Sequence, residues 1–127
     1  MKILSFNVRG LGSRIKRKAI QELIRGQKID FCCIQETKME VMNDFISADV
    51  WGDRNCSWAD KPSDGRAGGI LSIWNNEVFS CINHWFFNGA LVVVGLWGNE
   101  RLHCCIINVY APCVVAEKTE LWSNICM

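Results

Sequence analysis

The sequence predicts an α/β domain built on a mixed β-sheet. Three observations lead to this class: an unbroken apolar run near residues 29–35, a strand, helix, strand order over the first 36 residues, and several strand-like segments in the second half. Unbroken apolar strands are typical of sheets covered on both faces, and this element order is typical of a parallel crossover unit. With 127 residues, the chain is long enough for one domain and too short for two.

The first strand and the first helix are marked by their end signals. Residues 2–7, "KILSFN", read as a strand that ends at Asn7 in the loop "NVRGLGS". We expect Ser13 to cap the following helix and Gly26 to end it. The apolar residues of this helix fall at helical spacing, namely Ile15, Ala19, Ile20, Leu23 and Ile24. Its other face carries basic residues.

The remaining elements follow from composition and spacing. The second strand contains "FCCI", the stretch "MEVMNDFISA" is compatible with a short helix, and "KPSDGRAGG" is a loop rich in turn formers. Four strand-like segments, near 69–75, 78–86, 90–97 and 101–110, are joined by short turn-like pieces and predict antiparallel hairpins or a meander. Pro112 is expected to end the last strand, and "EKTELWSNICM" has helical spacing.

Charge is unevenly distributed, although the net charge is only +1. Residues 1–30 carry eight Lys or Arg side chains against Glu22 and Asp30. A basic surface of this kind either attracts phosphates or is simply a solvated helix face, and the sequence leaves both readings open.

The eight cysteines read as core residues of a protein in a reducing compartment. Two pairs are adjacent and lie in apolar runs, and no C-x-x-C occurs. His84 and His103 lack ligand spacing, so we expect no structural zinc. Because no signal-peptide core and no membrane-length apolar run is present, the chain is expected to be intracellular, nuclear or cytoplasmic.

Polar side chains mark the ends of three predicted strands. Asn7 ends the first, Glu36 ends the second, and Tyr110 with Asn108 ends the last. Ligands of α/β sheets bind outside the carboxyl ends of strands, and Mg²⁺ is commonly held there by one or two carboxylates together with substrate phosphates. The alternatives are a solvated glutamate, a turn asparagine and a half-buried core tyrosine.

Four ordered blocks, "MKILSFNVRGLGS", "DFCCIQETK", "GRAGGILSIWN" and "INVYAPCVVAEKTELWSNI", resemble the endonuclease/exonuclease/phosphatase family. They are most similar to the endonuclease domain at the front of the polyproteins of plant LINE-type non-LTR retrotransposons. The resemblance covers almost the whole chain. It identifies residues 1–127 as part of one such domain.

The resemblance implies a four-layer α/β sandwich and hydrolysis of phosphodiester bonds that depends on Mg²⁺, with Mn²⁺ as a possible substitute. DNA is the implied substrate. By motif position, Asn7 would contact the phosphate or a metal-bound water, Glu36 would ligate magnesium, and Tyr110 would bind the scissile phosphate. Arg9 departs from relatives that carry Asp two residues after the Asn, so a second metal contact is not expected there.

A further departure concerns the later family blocks. Relatives carry a G-D-x-N block and a Ser-Asp-His block after the segment that matches "NVYAP", and neither follows Tyr110 in these 127 residues. We therefore expect a fragment, the N-terminal half of the domain, that is inactive alone. Two alternatives stay open: a family member acting on another phosphoester, or a non-catalytic remnant that binds nucleic acid through the basic helix 14–25 or pairs its sheet with a partner.

Overall fold

The computed structural model describes residues 1–110, and residues 111–127 lie outside the described part of the chain. The expected strand end at Pro112 and the expected helix in "EKTELWSNICM" therefore fall outside it. The elements, in chain order, are β1 (Ile3–Asn7), α1 (Arg14–Gln27), β2 (Phe31–Gln35), α2 (Asp44–Trp51), β3 (Cys56–Lys61), β4 (Ile70–Asn75), β5 (Phe79–Phe87), β6 (Ala90–Trp97) and β7 (Leu102–Val109).

The strands form two sheets, so the expectation of one mixed sheet is wrong. The first sheet has the order β1-β2-β4-β3, in which β1 and β2 are parallel and the other pairs are antiparallel. The second is the antiparallel meander β5-β6-β7. The predicted meander is confirmed for these three strands, whereas β4 belongs to the first sheet and β3 was not predicted.

Two hydrophobic cores separate the layers. The first lies between the helices and one face of the first sheet, and it includes Cys32 and Ile34. The second lies between the two sheets, where Phe31 stacks on Trp74 with ring centroids 5.3 Å apart and makes an edge contact with Phe79 at 5.4 Å. Strand β2 therefore alternates between two buried environments, which explains its unbroken apolar run.

Helix α1 begins as predicted and ends differently. Ser13 is the N-cap and its side chain accepts from the Lys16 N–H. The helix, however, runs through Gly26 to Gln27 and is capped by Lys28, which has a left-handed φ of 53°. Its buried residues are Ile20 and Ile24, whereas Ile15 is 83% exposed. The predicted stripe through Ile15 is therefore wrong.

Polar side chains beside the buried residues of α1 contact α2. Arg17 Nε donates to Asp49 Oδ2 at 2.7 Å and Gln21 Nε2 donates to the Asp49 carbonyl at 3.2 Å. Polar contacts with α2 thus flank the side of α1 that carries Ile20 and Ile24. Within the described residues, no helix combines the length and the apolar character needed to cross a bilayer.

Candidate active site

Asn7 and Glu36 lie at the same edge of the first sheet, because β1 and β2 are parallel and in register. Asn7 is the register partner of Gln35, the residue before Glu36. The two loops that follow the strands continue the pairing, since Val8 N donates to the Gln35 carbonyl at 3.0 Å and Gly10 N donates to the Glu36 carbonyl at 2.8 Å. The loop after β1 is thereby fixed alongside Glu36.

This edge concentrates backbone strain. Five non-glycine residues have a positive φ in the described part of the chain, and three of them, Arg9 (54°), Glu36 (58°) and Lys38 (56°), lie in these two loops. The other two are the helix-ending Lys28 and Arg101 in the β6–β7 turn. A left-handed conformation costs a non-glycine residue about 1–2 kcal/mol, and such strain accumulates at functional sites.

The Asn7 amide is oriented by its own loop. Its Oδ1 accepts a hydrogen bond from the Arg9 N–H at 3.0 Å. The Asn7 NH₂ group has no acceptor among the described residues, and the side chain is exposed. It can therefore donate to a bound phosphate oxygen without adding negative charge.

The Glu36 carboxylate is partly buried, with 21% of its side chain exposed. Lys38 Nζ lies 3.6 Å from Glu36 Oε1, which is a long ion pair between two residues of one loop. No described residue donates a hydrogen bond at shorter distance to this carboxylate. Its oxygens therefore remain available to a cation or a water.

The β3–β4 loop closes over the same place. Thr37 N donates to the Gly69 carbonyl at 3.1 Å and Lys38 N donates to the Gly68 carbonyl at 2.8 Å. A Cβ at Gly69 would lie 3.2 Å from Lys38 N and would collide with Thr37 Oγ1. Gly69 of the "AGG" segment is thus required for close backbone approach beside Glu36, a role that the sequence alone did not reveal.

A buried polar bridge brings the end of β7 to the end of β2. Gln35 Nε2 donates to Asn108 Oδ1 at 2.7 Å, and Asn108 Nδ2 donates to the Leu71 carbonyl at 2.9 Å and to Ser72 Oγ at 3.2 Å. Both Gln35 and Asn108 are buried. The contact joins the two sheets across the second core.

Tyr110 follows this bridge by two residues. Its N–H donates to the Gly89 carbonyl at 2.8 Å, and its half-buried side chain packs against the second core. The ends of β1, β2 and β7 thus lie at one edge. Asn7 ends β1, Glu36 directly follows β2, and Tyr110 lies just beyond the bridge. Sequence reasoning missed Gln35 and Ser72, whose only local signal is a polar residue next to an apolar run.

The donor set fits a hard divalent cation. Glu36 supplies one accessible carboxylate, and Asn7 beside it supplies an amide N–H donor for a phosphate. Mg²⁺ commonly binds one or two protein carboxylates, keeps several waters and shares its site with substrate phosphate. Within residues 1–110, no group of three or more His, Cys, Asp and Glu side chains is arranged to hold a metal ion by itself.

Two other features lie away from this edge. The tetrad Gly52–Asn55 spells G-D-x-N, but Asn55 adjoins the far end of the first sheet, and Asp53 Oδ2 pairs with Arg25 at 3.6 Å. Burial raises the pKa of the Cys33 thiol to about 12 and raises the pKa of Cys32 further. Neither thiol is a nucleophile at neutral pH.

These observations define a layered α/β domain whose strand ends form a polar, strained edge. Residues 4–124 match the model of the Endonuclease/Exonuclease/phosphatase family. The chain belongs to this family. None of the curated proteins matches it.

Solved structures share the fold at low identity. An AP endonuclease from Archaeoglobus fulgidus is 18% identical with a TM-score of 0.66 and covers 88% of this chain. An AP endonuclease from Leishmania major is 18% identical with a TM-score of 0.62 and covers 85%. A conserved protein of unknown function from Enterococcus faecalis V583 is 18% identical with a TM-score of 0.72 and covers 99%.

The expected fold of the endonuclease/exonuclease/phosphatase type is thereby confirmed. The described residues contribute three of its layers: the helices, the four-stranded sheet and the three-stranded sheet. The chain spans 41% of the Archaeoglobus fulgidus structure, 39% of the Leishmania major structure and 61% of the Enterococcus faecalis structure.

Proposed function

We propose that this chain carries the metal-ligating and phosphate-binding part of a Mg²⁺-dependent phosphodiesterase site that acts on DNA. Glu36 is the metal ligand, Asn7 and Tyr110 bind the phosphate, and Mn²⁺ can replace Mg²⁺. The observation that carries the proposal is the in-register parallel pairing of β1 and β2, which brings Asn7, the last residue of β1, beside the start of the Glu36 loop.

Each side chain has a distinct task in this proposal. The Glu36 carboxylate anchors the cation, and the Asn7 NH₂ group donates to a phosphate oxygen, while its Oδ1 is occupied by the Arg9 N–H. The Tyr110 hydroxyl is a further donor toward the phosphate. When bound, the metal would supply Lewis-acid polarisation of the phosphoryl oxygen.

DNA as the substrate is supported by two independent lines. The endonuclease names of two similar structures point to nucleic acid, and the "NVRGLGS" and "YAP...EKTELW" blocks point to the retrotransposon branch. An origin in a plant LINE-type element is part of the proposal, as is an intracellular location, which the free thiols of the described cysteines support.

The 127 residues by themselves are proposed to be inactive. His84 follows Asn83 and His103 follows Leu102, so no histidine has the aspartate neighbour of the family's Ser-Asp-His block. Loss of a general base typically lowers the rate by about 10²- to 10⁴-fold. A supercoiled-plasmid nicking assay with Mg²⁺ tests this directly. Nicking by the 127-residue chain that is lost in Glu36→Ala would refute the inactivity and support the metal role.

The alternative of a nucleic-acid-binding basic helix is weakened by the contacts of its cations. Arg17 pairs with Asp49, Arg25 pairs with Asp53, and Lys16 Nζ donates to two loop carbonyls. Within the described residues, Arg14 and Lys18 are the helix cations without such a partner. Most cations of α1 therefore contact other parts of the fold, and the described part of the helix has no continuous face of unpaired cations.

A further inference from the structure

Three cations surround the loop that follows β1. Arg9 belongs to this loop, and a Cβ at Gly10 would lie 3.7 Å from Lys38 Cδ and 3.9 Å from Lys16 Nζ. Glu36, whose carbonyl accepts from Gly10 N, is the carboxylate beside them. The local charge balance is therefore positive, and such an edge attracts an anionic group.

The three cations differ in their hydrogen-bond and ion-pair partners. Lys16 Nζ donates to the Arg9 carbonyl at 2.7 Å and to the Val8 carbonyl at 3.3 Å. Lys38 pairs with Glu36. The Arg9 guanidinium, by contrast, is exposed and makes no hydrogen bond or ion pair with any residue of the described 1–110. It is the one of the three whose charge is left for a ligand.

The Arg9 backbone is fixed on both sides despite its left-handed φ of 54°. Its N–H donates to Asn7 Oδ1 at 3.0 Å, its carbonyl accepts from Lys16 Nζ, and the next N–H donates to the Glu36 carbonyl. These contacts hold the strained backbone from which the long cationic side chain extends. Strain that surroundings maintain in this way is typical of functional positions.

We infer that Arg9 binds a phosphate of the nucleic-acid backbone beside Glu36, with Lys16 as the residue that positions it. The inference rests on the proposed function and adds to it. A planar guanidinium forms two parallel hydrogen bonds to phosphate oxygens, which a carboxylate at this place could not do. The site then combines one metal-binding carboxylate with one fixed arginine.

The chain contains a closely matched control for Arg9. Arg101 is also exposed, has the same φ of 54°, and is without a side-chain partner in the described part of the chain. It lies in the turn before β7, at the end of the second sheet opposite to Tyr110. Arg9→Gly and Arg101→Gly therefore remove the same charge and relieve the same kind of strain.

The test is a salt titration of binding between the full 127-residue chain and a fluorescently labelled duplex oligonucleotide. Anisotropy is recorded between about 50 and 200 mM salt with EDTA present, so that no metal contributes. We expect Arg9→Gly to lower affinity and to reduce the slope of log K against log salt by about 0.9, the value for one phosphate contact. Arg101→Gly should keep the wild-type slope, and Arg9→Lys should keep most of it.

Three results would overturn the inference: an unchanged slope in Arg9→Gly, an equal loss in Arg101→Gly, or no binding by the wild-type chain at about 50 mM salt. A melting temperature of Arg9→Gly at or above that of the wild type shows that the loss is not unfolding. The metal role of Glu36 is measured separately, by Mg²⁺ binding to Glu36→Gln. If the salt slope of Arg9→Gly is unchanged but Glu36→Gln still loses Mg²⁺ affinity, only the assignment of Arg9 is refuted.

Discussion

Gln35 Nε2 donates a hydrogen bond of 2.7 Å to Asn108 Oδ1, across a separation of 73 residues. The bond joins the last residue of β2 to the penultimate residue of β7 and so connects the two sheets at the candidate edge. Glu36 and Tyr110 each follow one end of this bridge. The relative position of the two predicted site residues therefore depends on a buried contact between two amides.

Removal of the Asn108 amide should be costly. Asn108→Ala leaves Gln35 Nε2 with one partner fewer and removes the donor to the Leu71 carbonyl, and a buried group without its partner costs about 1–3 kcal/mol. We expect a loss of about 2–4 kcal/mol in the free energy of unfolding, measured by urea denaturation. Asn99→Ala, in an exposed turn, should change it by less than about 0.5 kcal/mol. Equal effects would contradict the bridge.

Substitutions at the two adjacent glycines of the β3–β4 loop distinguish steric crowding from backbone strain. Gly68 (φ 75°) and Gly69 (φ 91°) both have left-handed backbones, but a Cβ at Gly68 meets open space, whereas one at Gly69 meets Thr37 and Lys38. Gly68→Ala should cost about 1 kcal/mol and Gly69→Ala about 3 kcal/mol or more. Thermal unfolding of both variants measures the difference, and a Gly69→Ala variant no less stable than Gly68→Ala would refute the close approach.

The buried thiols predict alkaline instability. Burial raises the pKa of the Cys33 thiol to about 12, whereas an accessible thiol in the unfolded chain ionises near pH 8.5. Because the unfolded chain loses the proton first, the stability contribution is complete below about pH 8.5 and is lost as pH rises toward about 12. We expect the free energy of unfolding to fall by about 1.4 kcal/mol per pH unit for this thiol above that point.

A Cys33→Ala variant should lose part of this alkaline slope, as judged by urea unfolding at several pH values. Cys105 is exposed and provides the control, since Cys105→Ala should leave the slope as it is. A wild-type stability that stays flat up to about pH 10 would contradict the burial of the thiols in the native state.

The sequence predicts local features of the fold well. Ser13 caps α1, the "FCCI" run is a strand buried on both faces, and β5 to β7 form the expected meander. Each of these depends on neighbouring residues, such as a capping hydroxyl or a turn between apolar segments. The end of α1 was wrong because Lys28 adopts the left-handed conformation that usually favours glycine, while Gly26 remains helical.

Long-range features were less accessible. The turn between β4 and β5 resembles a hairpin turn, yet the two strands belong to different sheets. Packing of the second hydrophobic core between the sheets separates them. Strand β3 was missed because "CSWADK" mixes polar and apolar residues without a clean alternation. The site residues were predicted from strand ends, whereas the Gln35 and Asn108 bridge that relates them is a pairing of distant residues that no local pattern encodes.

Calorimetric titration of Mg²⁺ into the full chain tests whether Glu36 is a magnesium ligand. We predict saturable binding by the wild type, at least about tenfold weaker binding by Glu36→Gln, which corresponds to about 1.4 kcal/mol, and wild-type binding by Glu40→Gln, whose carboxylate is exposed nearby. Equal Mg²⁺ affinity in Glu36→Gln and the wild type, or no saturable binding by the wild type, would contradict the account.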